Sequence, residues 1–376
     1  MSTLSRSKFL RLGLLSLCCG LTAPKCTLVK ATNHPKSIVK PNRLRTLSKG
    51  FNLGRRRVVE FAQGQDNLYT TLLQYKRLGL TYTRLPIVLS NFFDDKNPNV
   101  LKKEYLTALD TIVQMHMKVG LGITVCPFDA PEELYSNPAA VTKYLAFFKA
   151  FATHFNNTNP EKVFLEVLNE PSAETPHVWN QIQPRLISTI RSYAPKHTII
   201  ASSNLRVTKR HWNNLRALLK TEIVKDKNVV YNFHFYEPFV FTHQGATWGW
   251  EALKYMKGIP YPSNPKAVAP LLNKIGDPQA RWGVENYGKE QWNKVKLVNE
   301  LSLVAKWAKS NGVPVICNEF GVIQTASVPR DSMLRYLRDV RQILESYNIG
   351  WNQWFRLNLR DQEIMQALGL KPLIRP

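Results

Sequence analysis

Cysteine is scarce in this chain, which has only five among its 376 residues. Cys18, Cys19 and Cys26 lie close to the N-terminus, whereas Cys126 and Cys317 lie in apolar runs. So few cysteines exclude a fold held together by disulfides, and we expect the last two to be buried free thiols. The chain must instead depend on a hydrophobic core, for which 44% hydrophobic and 11% aromatic residues are sufficient.

Several motifs that mark cofactor-dependent or nucleophilic enzymes are also missing. The chain has no HExxH, no CxxC, no P-loop and no GxSxG, which are signatures of zinc proteases, paired-cysteine sites, nucleotide-binding proteins and serine hydrolases. The segment GFNLGR, at 50–55, follows the start of the first predicted strand but does not match the dinucleotide fingerprint GxGxxG. We therefore expect neither a metal ion nor an organic cofactor.

Long hydrophobic runs are absent except near the N-terminus. Three basic residues there precede the run LGLLSLCCGLTA, Leu12–Ala23, which is short for a bilayer-spanning helix and typical of the core of a signal peptide. We predict that residues 1–31 form a signal peptide and leader, cleaved after Ala23 or Ala31. The protein would then be secreted, either extracellular or periplasmic, with no membrane partner after removal of the signal; an uncleaved anchor is the alternative.

Acidic residues are in the minority, with 27 Asp and Glu against 51 Lys and Arg, giving a net charge of +24. Such a charge favours anionic neighbours, including nucleic acid, membrane headgroups and acidic polymers. The basic residues are scattered in short groups and match no nucleic-acid-binding motif. We expect no nucleic-acid partner and a mainly solvating role for the charge. An envelope-binding or polymer-binding protein is the alternative, and its binding would depend steeply on salt.

Short β-branched or apolar segments alternate with longer segments of helical periodicity. The predicted strands are Ser48–Leu53, Tyr82–Ile87, Gly122–Pro127, Val163–Asn169, Thr198–Ser203, Val229–Phe235, Pro314–Glu319 and Gly350–Phe355. The predicted helices include Asp66–Leu78, Lys102–Lys118, Ala139–Phe155, Val178–Tyr193, Lys294–Ser310 and Asp331–Ser346. Because a helix or a long loop follows each strand, the pattern predicts an α/β fold, a single-domain (β/α)8 TIM barrel over residues 32–376, expected to be monomeric. A doubly wound open sheet is the alternative.

In such a barrel, side chains at the C-terminal ends of the strands converge on one mouth. The predicted strand ends carry Arg84, Asn169, Glu170, His234, Tyr236, Glu319 and Trp354. Glu170 and Glu319 each follow an apolar run and an asparagine, in LNEP and CNEF. Two carboxylates facing across a cleft, one protonated and one ionised, are what glycoside hydrolysis requires. The alternative is that each glutamate only caps a strand end or pairs with a lysine. Glu166, four residues before Glu170, is expected to lie deeper in the barrel and to be structural.

The segments LEVLNEP, ICNEFG, YNFHFYEP, TRLPI and GWNQWF together resemble glycoside hydrolase family 5, the cellulase family of clan A. The segment YEPFVFTHQGATW, followed by GIPYP, resembles the bacterial secreted endoglucanases of that family. The resemblance covers about Lys49 to Trp354. Its most specific part is NEP followed about 150 residues later by NEFG, with His-Phe-Tyr between them.

The resemblance implies a role for each residue at the predicted mouth. Glu170 would be the general acid/base and Glu319 the nucleophile. Asn169 would donate to the nucleophile or to the sugar 2-hydroxyl, and Arg84 would keep Glu319 ionised by lowering its pKa. We also expect partial burial to raise the pKa of Glu170, as a general acid requires.

The other three residues would complete the substrate-binding site. Tyr236 would hydrogen-bond Glu319, and His234 would lie between the two carboxylates. Trp354 would form the apolar floor beneath the reacting sugar.

One residue departs from the pattern of the family, in which strand three often ends on histidine. The segment GLGITVCPF places Phe128 at that position. Phe128 would add an apolar contact for a sugar ring, or the strand is shifted by one residue and Asp129 takes the position.

The long segment from Glu237 to about Asn286 is rich in glycine, proline and tryptophan. We predict a structured loop at the active site. Trp248 and Trp250 would either be sugar platforms or pin this loop to the barrel.

The resemblance implies a secreted retaining endo-β-glycanase whose substrate is a β-linked polysaccharide or oligosaccharide, with β-1,4-glucan placed first. Mannan, xyloglucan and β-1,3/1,4-glucan are alternatives within the same chemistry. A non-catalytic carbohydrate-binding barrel at the cell surface is an alternative of another class. Such a protein would be expected to have lost a glutamate or the arginine, and this chain retains Glu170, Glu319 and Arg84.

Overall fold

The computed structural model describes residues 36–64, 67–325, 327–355 and 358–373. The predicted signal segment 1–31 with both cleavage sites lies outside the described residues. So do Asp66, the first residue of one predicted helix, and both ends of the predicted domain 32–376.

Among the described residues, eight parallel strands close into a barrel in which neighbours along the chain are also neighbours in the sheet. The strands are β1 (Lys49–Asn52), β2 (Tyr82–Val88), β3 (Gly122–Phe128), β4 (Val163–Glu166), β5 (Ile199–Ser202), β6 (Val229–Phe235), β7 (Val315–Phe320) and β8 (Gly350–Gln353). The last strand pairs with the first, with Gly50 opposite Asn352. The (β/α)8 prediction is confirmed, and the open-sheet alternative is wrong.

Two predicted strands end two or more residues earlier than expected. β4 stops at Glu166 rather than Asn169, because the backbone N–H of Asn169 turns to donate to the carbonyl of Pro127 at 2.8 Å. β8 stops at Gln353 rather than Phe355. The residues beyond both strands thus belong to the mouth of the barrel.

The described residues form thirteen α-helices, most of them on the outside of the barrel. They are α1 (Pro41–Thr46), α2 (Arg57–Ala62), α3 (Leu68–Leu78), α4 (Leu106–Val119), α5 (Pro138–Phe155), α6 (Pro176–Tyr193), α7 (Asn214–Leu218), α8 (Phe239–Thr242), α9 (Pro265–Leu272), α10 (Pro278–Glu290), α11 (Lys294–Asn311), α12 (Arg330–Ser346) and α13 (Gln362–Ala367). All six predicted helices are present. The helices that the sequence did not predict are short or lie in the long loop. Their sequences lack an apolar pattern that repeats over three to four helical turns.

Local sequence explains where the longer helices begin and end. Asn137 caps α5 by accepting a hydrogen bond from the N–H of Ala139 at 2.9 Å, and Pro138 takes the first helical position. Asp277 and Asn293 cap α10 and α11 in the same way. Such caps satisfy backbone donors that have no partner inside the helix.

The barrel interior changes from apolar to polar along its axis. At the N-terminal end of the strands, Tyr82, Phe164, Ile200, Val230 and Ile316 pack together. Only glycine fits beside this layer at position 50, since a Cβ there would lie 2.6 Å from the ring of Tyr82. Towards the mouth, the interior is filled by polar and charged side chains that form the site described below.

Cys126 and Cys317 are both buried and free, as predicted. No disulfide therefore contributes to the stability of the described part of the chain. No helix within the described ranges combines the length and apolar character needed to cross a membrane.

Candidate active site

Arg84 lies at the centre of the polar end of the barrel. It occupies the third position of β2, four residues before the strand ends, and is fully buried. Its Nε and Nη2 donate to the two carboxylate oxygens of Glu166 at 2.7 and 2.8 Å. Glu166 also accepts from the amides of Asn232 and Asn318, each at 3.0 Å. Glu166 is therefore the buried counter-ion of Arg84, in line with the structural role expected for it.

We expect Glu166→Gln to destabilise the fold strongly without removing a group that faces the mouth. The change removes the charge that pairs with Arg84 and turns an amide NH2 toward groups that are themselves donors. Loss of one partner of a buried ion pair costs about 3–5 kcal/mol of unfolding free energy, which urea-induced unfolding would measure. Glu251→Gln is the matched control, because Glu251 pairs with Lys254 at an exposed position and its loss should leave the unfolding free energy nearly unchanged. Equal stability of the two variants would contradict this account of Glu166.

The same guanidinium also holds the residues at the mouth. Nη1 of Arg84 donates to Glu319 at 2.6 Å and to Asn52 at 3.0 Å, and Nη2 donates to Oδ1 of Asn169 at 2.9 Å. Arg84 thus lies within β2 rather than at its predicted place at the strand end, and its donors are all bound to protein. It positions Glu319 and Asn169.

Asn169 is left with an unused donor. Its Oδ1 is bound to Arg84, so its NH2 group faces another direction and has no acceptor among the described residues. The structure shows no hydrogen bond from Asn169 to Glu319. A ligand hydroxyl at the mouth could accept from this NH2 group.

Glu319, His234 and Glu170 form a connected cluster at the mouth. The hydroxyl of Tyr236 donates to Glu319 at 2.9 Å, and Nδ1 of His234 lies 2.8 Å from Glu170 and 3.4 Å from Glu319. One oxygen of each carboxylate and a ring nitrogen of His234 lie within 4.8 Å of one another. The side chain of Glu319 is only 5% exposed, whereas that of Glu170 is 29% exposed and faces the opening.

These three residues could hold a cation by geometry alone. Each offers one ligand atom within that 4.8 Å span. However, one oxygen of Glu319 is already bound by the guanidinium of Arg84 at 2.6 Å, and a fixed positive charge beside the site opposes a second one. The arrangement is better suited to moving a proton between two carboxylates.

The pKa values of the two carboxylates are shifted in opposite directions. Burial raises the pKa of Glu319, although His234 and Arg84 oppose the effect. Burial also favours a higher pKa for Glu170, but the hydrogen bond and charge of His234 outweigh it, and the pKa of Glu170 is lowered. Arg84 and burial act in the directions expected from the sequence, but the net shift of each pKa is the opposite of the expected one. Burial and the nearby charge of Glu170 outweigh Arg84 at Glu319, and His234 outweighs burial at Glu170.

The chain matches the family model described as Cellulase (glycosyl hydrolase family 5) over residues 47–357. The chain belongs to glycosyl hydrolase family 5. It is therefore a glycoside hydrolase of the cellulase type, and the resemblance noted in its motifs is confirmed.

Two curated proteins with similar sequences are named endoglucanases. Endoglucanase 3 of Fibrobacter succinogenes is 29% identical over 259 residues, which cover 65% of this chain and only 38% of that protein. Endoglucanase C of Acetivibrio thermocellus is 26% identical over 285 residues, covering 73% of this chain and 80% of that protein.

Solved structures show the same fold. The Thermotoga maritima Cel5A structure in complex with cellobiose has a TM-score of 0.69 at 23% identity, covering 88% of this chain and all of that one. The structure of the same protein with mannotriose has a TM-score of 0.70 at 23% identity, with the same coverage.

The seven residues singled out from the sequence of this family 5 enzyme all lie at or just below the mouth. Trp354, half-buried, stacks on Phe128 with ring centroids 5.9 Å apart and planes 11° apart. Phe128 is the last residue of β3 and pairs with Val88, so the strand is not shifted. Asp129 instead leaves the strand with φ +65° and pairs with Arg55.

The long loop of the family 5 enzyme contributes residues that the sequence analysis overlooked. The buried ring of His243 lies 5.0 Å from that of Tyr236 and 5.0 Å from that of Trp248, and burial lowers the pKa of His243 to about 3. His243 is therefore neutral over most of the pH range and packs as an aromatic residue. One indication of this role was present in the sequence, since His243 lies among aromatic residues in the segment FVFTHQGATW.

The two tryptophans of the loop have different environments. Trp248 is 46% exposed beside His243 at the mouth. Trp250 is half-buried, packs against the core and lies 6.4 Å from the ring of Trp282. Only glycine fits at position 283, because a Cβ there would lie 2.7 Å from the Trp250 ring. Trp250 thus pins the loop, whereas Trp248 is available to a ligand.

Proposed function

We propose that this family 5 hydrolase is a retaining endo-β-glycanase that acts on β-1,4-glucan, with Glu319 as nucleophile and Glu170 as general acid/base. The supporting observation is the short distance between the two carboxylates. An oxygen of Glu170 lies within 4.8 Å of an oxygen of Glu319. Retaining enzymes separate their carboxyl groups by about 5–5.5 Å, and inverting enzymes by about 6.5–9.5 Å to admit a water molecule.

In the first step, an oxygen of ionised Glu319 attacks the anomeric carbon from the face opposite the leaving sugar. The glycosidic C–O bond breaks as protonated Glu170 transfers its proton to the departing oxygen. Arg84 and Tyr236, which both donate to Glu319, fix the nucleophile and exclude other orientations of its carboxylate. The products of this step are a free sugar hydroxyl and a glycosyl ester of Glu319.

In the second step, Glu170, now ionised, accepts a proton from water. The oxygen of that water forms a bond to the anomeric carbon, and the ester bond to Glu319 breaks. Two inversions give net retention, and both glutamates return to their initial charge. Substrate seated over Glu170 would displace water from its exposed side, which raises its pKa and offsets the lowering effect of His234.

The choice of polymer rests on the relatives. Two are named endoglucanases, which places β-1,4-glucan first. Mannan is the second candidate, because a structural neighbour was solved with mannotriose. The half-buried ring of Trp354, backed by buried Phe128, offers an apolar surface suited to the C–H face of a pyranose in either polymer.

A reducing-sugar assay over β-glucans and β-mannans tests the substrate, and proton NMR of the first-formed product tests the stereochemistry. We expect release of oligosaccharides from β-1,4-glucan, with the β-anomer appearing first. A first-formed α-anomer would contradict retention. Absence of cleavage on every polymer, with binding intact, would favour the carbohydrate-binding alternative.

We further propose that the protein is secreted, on the basis of the apolar segment Leu12–Ala23. N-terminal sequencing of the mature protein from its native host should begin at residue 24 or 32. A mature protein that retains Met1 would contradict cleavage.

Removing His234 should shift the pH profile of kcat/KM to higher pH. His234 lowers the pKa of both glutamates against the raising effect of burial, so His234→Phe should raise both pKa values. The two limbs of the kcat/KM profile report the two carboxyl pKa values of the free enzyme, and both limbs should therefore move upward. A profile that keeps its position, or moves downward, would contradict the proposed proton network.

Trp248→Ala should weaken binding of long substrates more than short ones. The exposed ring beside His243 would stack on a sugar away from the reacting bond, and loss of such a contact is worth about 0.5–1.5 kcal/mol, or roughly 3- to 10-fold in KM. We expect this increase for cellopentaose and little change for an aryl cellobioside. Tyr255→Ala is the control, since Tyr255 is 47% exposed on the same loop. Equal effects of both variants would argue against a sugar platform.

A further inference from the structure

The end of the barrel opposite the mouth has a distinct surface, which we call the basal face: α1 and the segments that precede each barrel strand. The chain crosses this face from Lys36 onward. The N–H groups of Ser37 and Ile38 donate to the carbonyls of Gly312 and Lys227 at 3.2 and 3.0 Å. α1 then closes the barrel, because the side chains beside it pack on the apolar layer inside the strands.

The basal face carries a concentration of exposed positive charge. Lys36, Lys40 and Arg45 project from the crossing segment, and Lys196, Lys227 and Lys309 surround it. Two acidic residues of this face are already engaged in ion pairs. Glu161 accepts from Lys40 and Arg43, and Asp226 is held by Arg191 at 2.7 Å. The mouth differs, because Asp94, Asp95, Glu132, Glu133 and Glu174 are interspersed with its basic residues.

Apolar groups lie within this basic surface. Ile38 is 65% exposed between Lys36 and Lys40. A pocket of about 220 Å³ opens beside α1, lined by Leu44, Ala305, Ala308, Val313 and Tyr347, with Lys309 among its lining residues. A soluble polyanion would make use of the charge but not of these apolar groups, whereas an anionic bilayer offers phosphate headgroups above acyl chains.

We propose that the basal face docks onto the surface of an anionic lipid bilayer. The lysines would lie at the headgroup phosphates, with Ile38 at the level of the upper acyl chains. The mouth, at the opposite end of the barrel axis, would then point away from the membrane toward a polysaccharide. This proposal revises the sequence-based expectation of no membrane partner, since scattered basic residues are brought together only by the fold.

Vesicle flotation with the protein from residue 32 onward, a proposed mature form, tests the proposal without any substrate. Vesicles of phosphatidylcholine with phosphatidylglycerol are compared with pure phosphatidylcholine, at about 50 and about 300 mM salt. The basal variant is Lys36→Gln/Lys40→Gln/Arg45→Gln/Lys227→Gln. The matched control, Lys257→Gln/Lys266→Gln/Lys274→Gln/Arg281→Gln, removes the same charge from exposed positions in the long loop. All proteins begin at residue 32, so the apolar segment Leu12–Ala23 cannot anchor them to vesicles of either kind.

We expect the wild type and the control to float with anionic vesicles at low salt, and the basal variant to bind at least about tenfold more weakly. Ile38→Asn keeps the charge and should weaken binding to vesicles but not to soluble polyphosphate. Unchanged circular dichroism confirms that each variant is folded. Equal binding of the basal and control variants, equal flotation with neutral vesicles, or an Ile38→Asn variant that binds vesicles like wild type would each overturn the proposal.

Discussion

Glu319→Gly should lower kcat by about 10⁴-fold or more on both cello-oligosaccharides and aryl cellobiosides, because no other group can form the covalent intermediate. Glu319 is buried beneath the mouth, and Arg84 and Tyr236 hold its two oxygens separately. Glycine leaves a space at this position without moving either donor far. The loss should be independent of the leaving group, since attack on the anomeric carbon precedes every later event.

Added azide distinguishes this loss from misfolding. A small anion that enters the space left by Glu319 attacks the same face of an activated β-cellobioside once, so the product is an α-glycosyl azide formed by single inversion. We expect azide to restore a measurable rate with that product. A β-azide, or activity within tenfold of wild type without azide, would remove Glu319 from the role of nucleophile.

Glu170→Gln should lower kcat on cello-oligosaccharides by about 10²–10⁴-fold, the usual contribution of a general acid. A sugar alkoxide is a poor leaving group, so the departing oxygen needs the proton that Glu170 donates. A dinitrophenolate leaves without it, so formation of the glycosyl-enzyme from a dinitrophenyl cellobioside should be nearly normal and its hydrolysis slow. A burst of dinitrophenol followed by a slow steady state, measured by stopped flow, is the expected signature.

Glu237→Gln is the control for Glu170. Glu237 follows β6, and burial raises its pKa to about 7, a value that suits a general acid. Its carboxylate accepts from the backbone N–H of Tyr236 at 3.1 Å, and its charged neighbours are Arg216 and Glu300. No hydrogen bond joins it to Glu170, His234 or Glu319, so we expect activity on oligosaccharides to persist in this variant. If Glu237→Gln loses the acid-dependent activity and Glu170→Gln keeps it, the two assignments must be exchanged.

The fold and the catalytic pair could be predicted because the barrel imposes a simple pattern. Parallel strands buried on both faces appear as apolar runs, and a carboxylate at the end of such a run has few structural uses. Glu170 and Glu319 could be identified from the sequence for this reason. Arg84 was identified but misplaced, because sequence does not distinguish a buried arginine in the middle of a strand from one at its end.

Other features depend on contacts between segments that are far apart in the chain. The Phe128–Trp354 stack joins β3 to the residues after β8, and His243 reaches the mouth only through the packing of the long loop. The pKa order of the two glutamates depends on burial and on the position of His234 between them, and no local sequence pattern contains either. The basal face likewise gathers residues from turns far apart in the chain, from Lys36 to Lys309.

Trapping the glycosyl-enzyme tests the central claim most directly. Fluorine at the sugar 2-position destabilises the positively charged transition states of both steps, and a dinitrophenolate leaving group lets only the first proceed at a useful rate. With 2,4-dinitrophenyl 2-deoxy-2-fluoro-β-cellobioside, we predict inactivation with one sugar bound per protein and, by peptide mass spectrometry, an ester on Glu319. An enzyme that hydrolyses β-glucan yet takes up no label, or carries it on Glu170 or another residue, would contradict the mechanism.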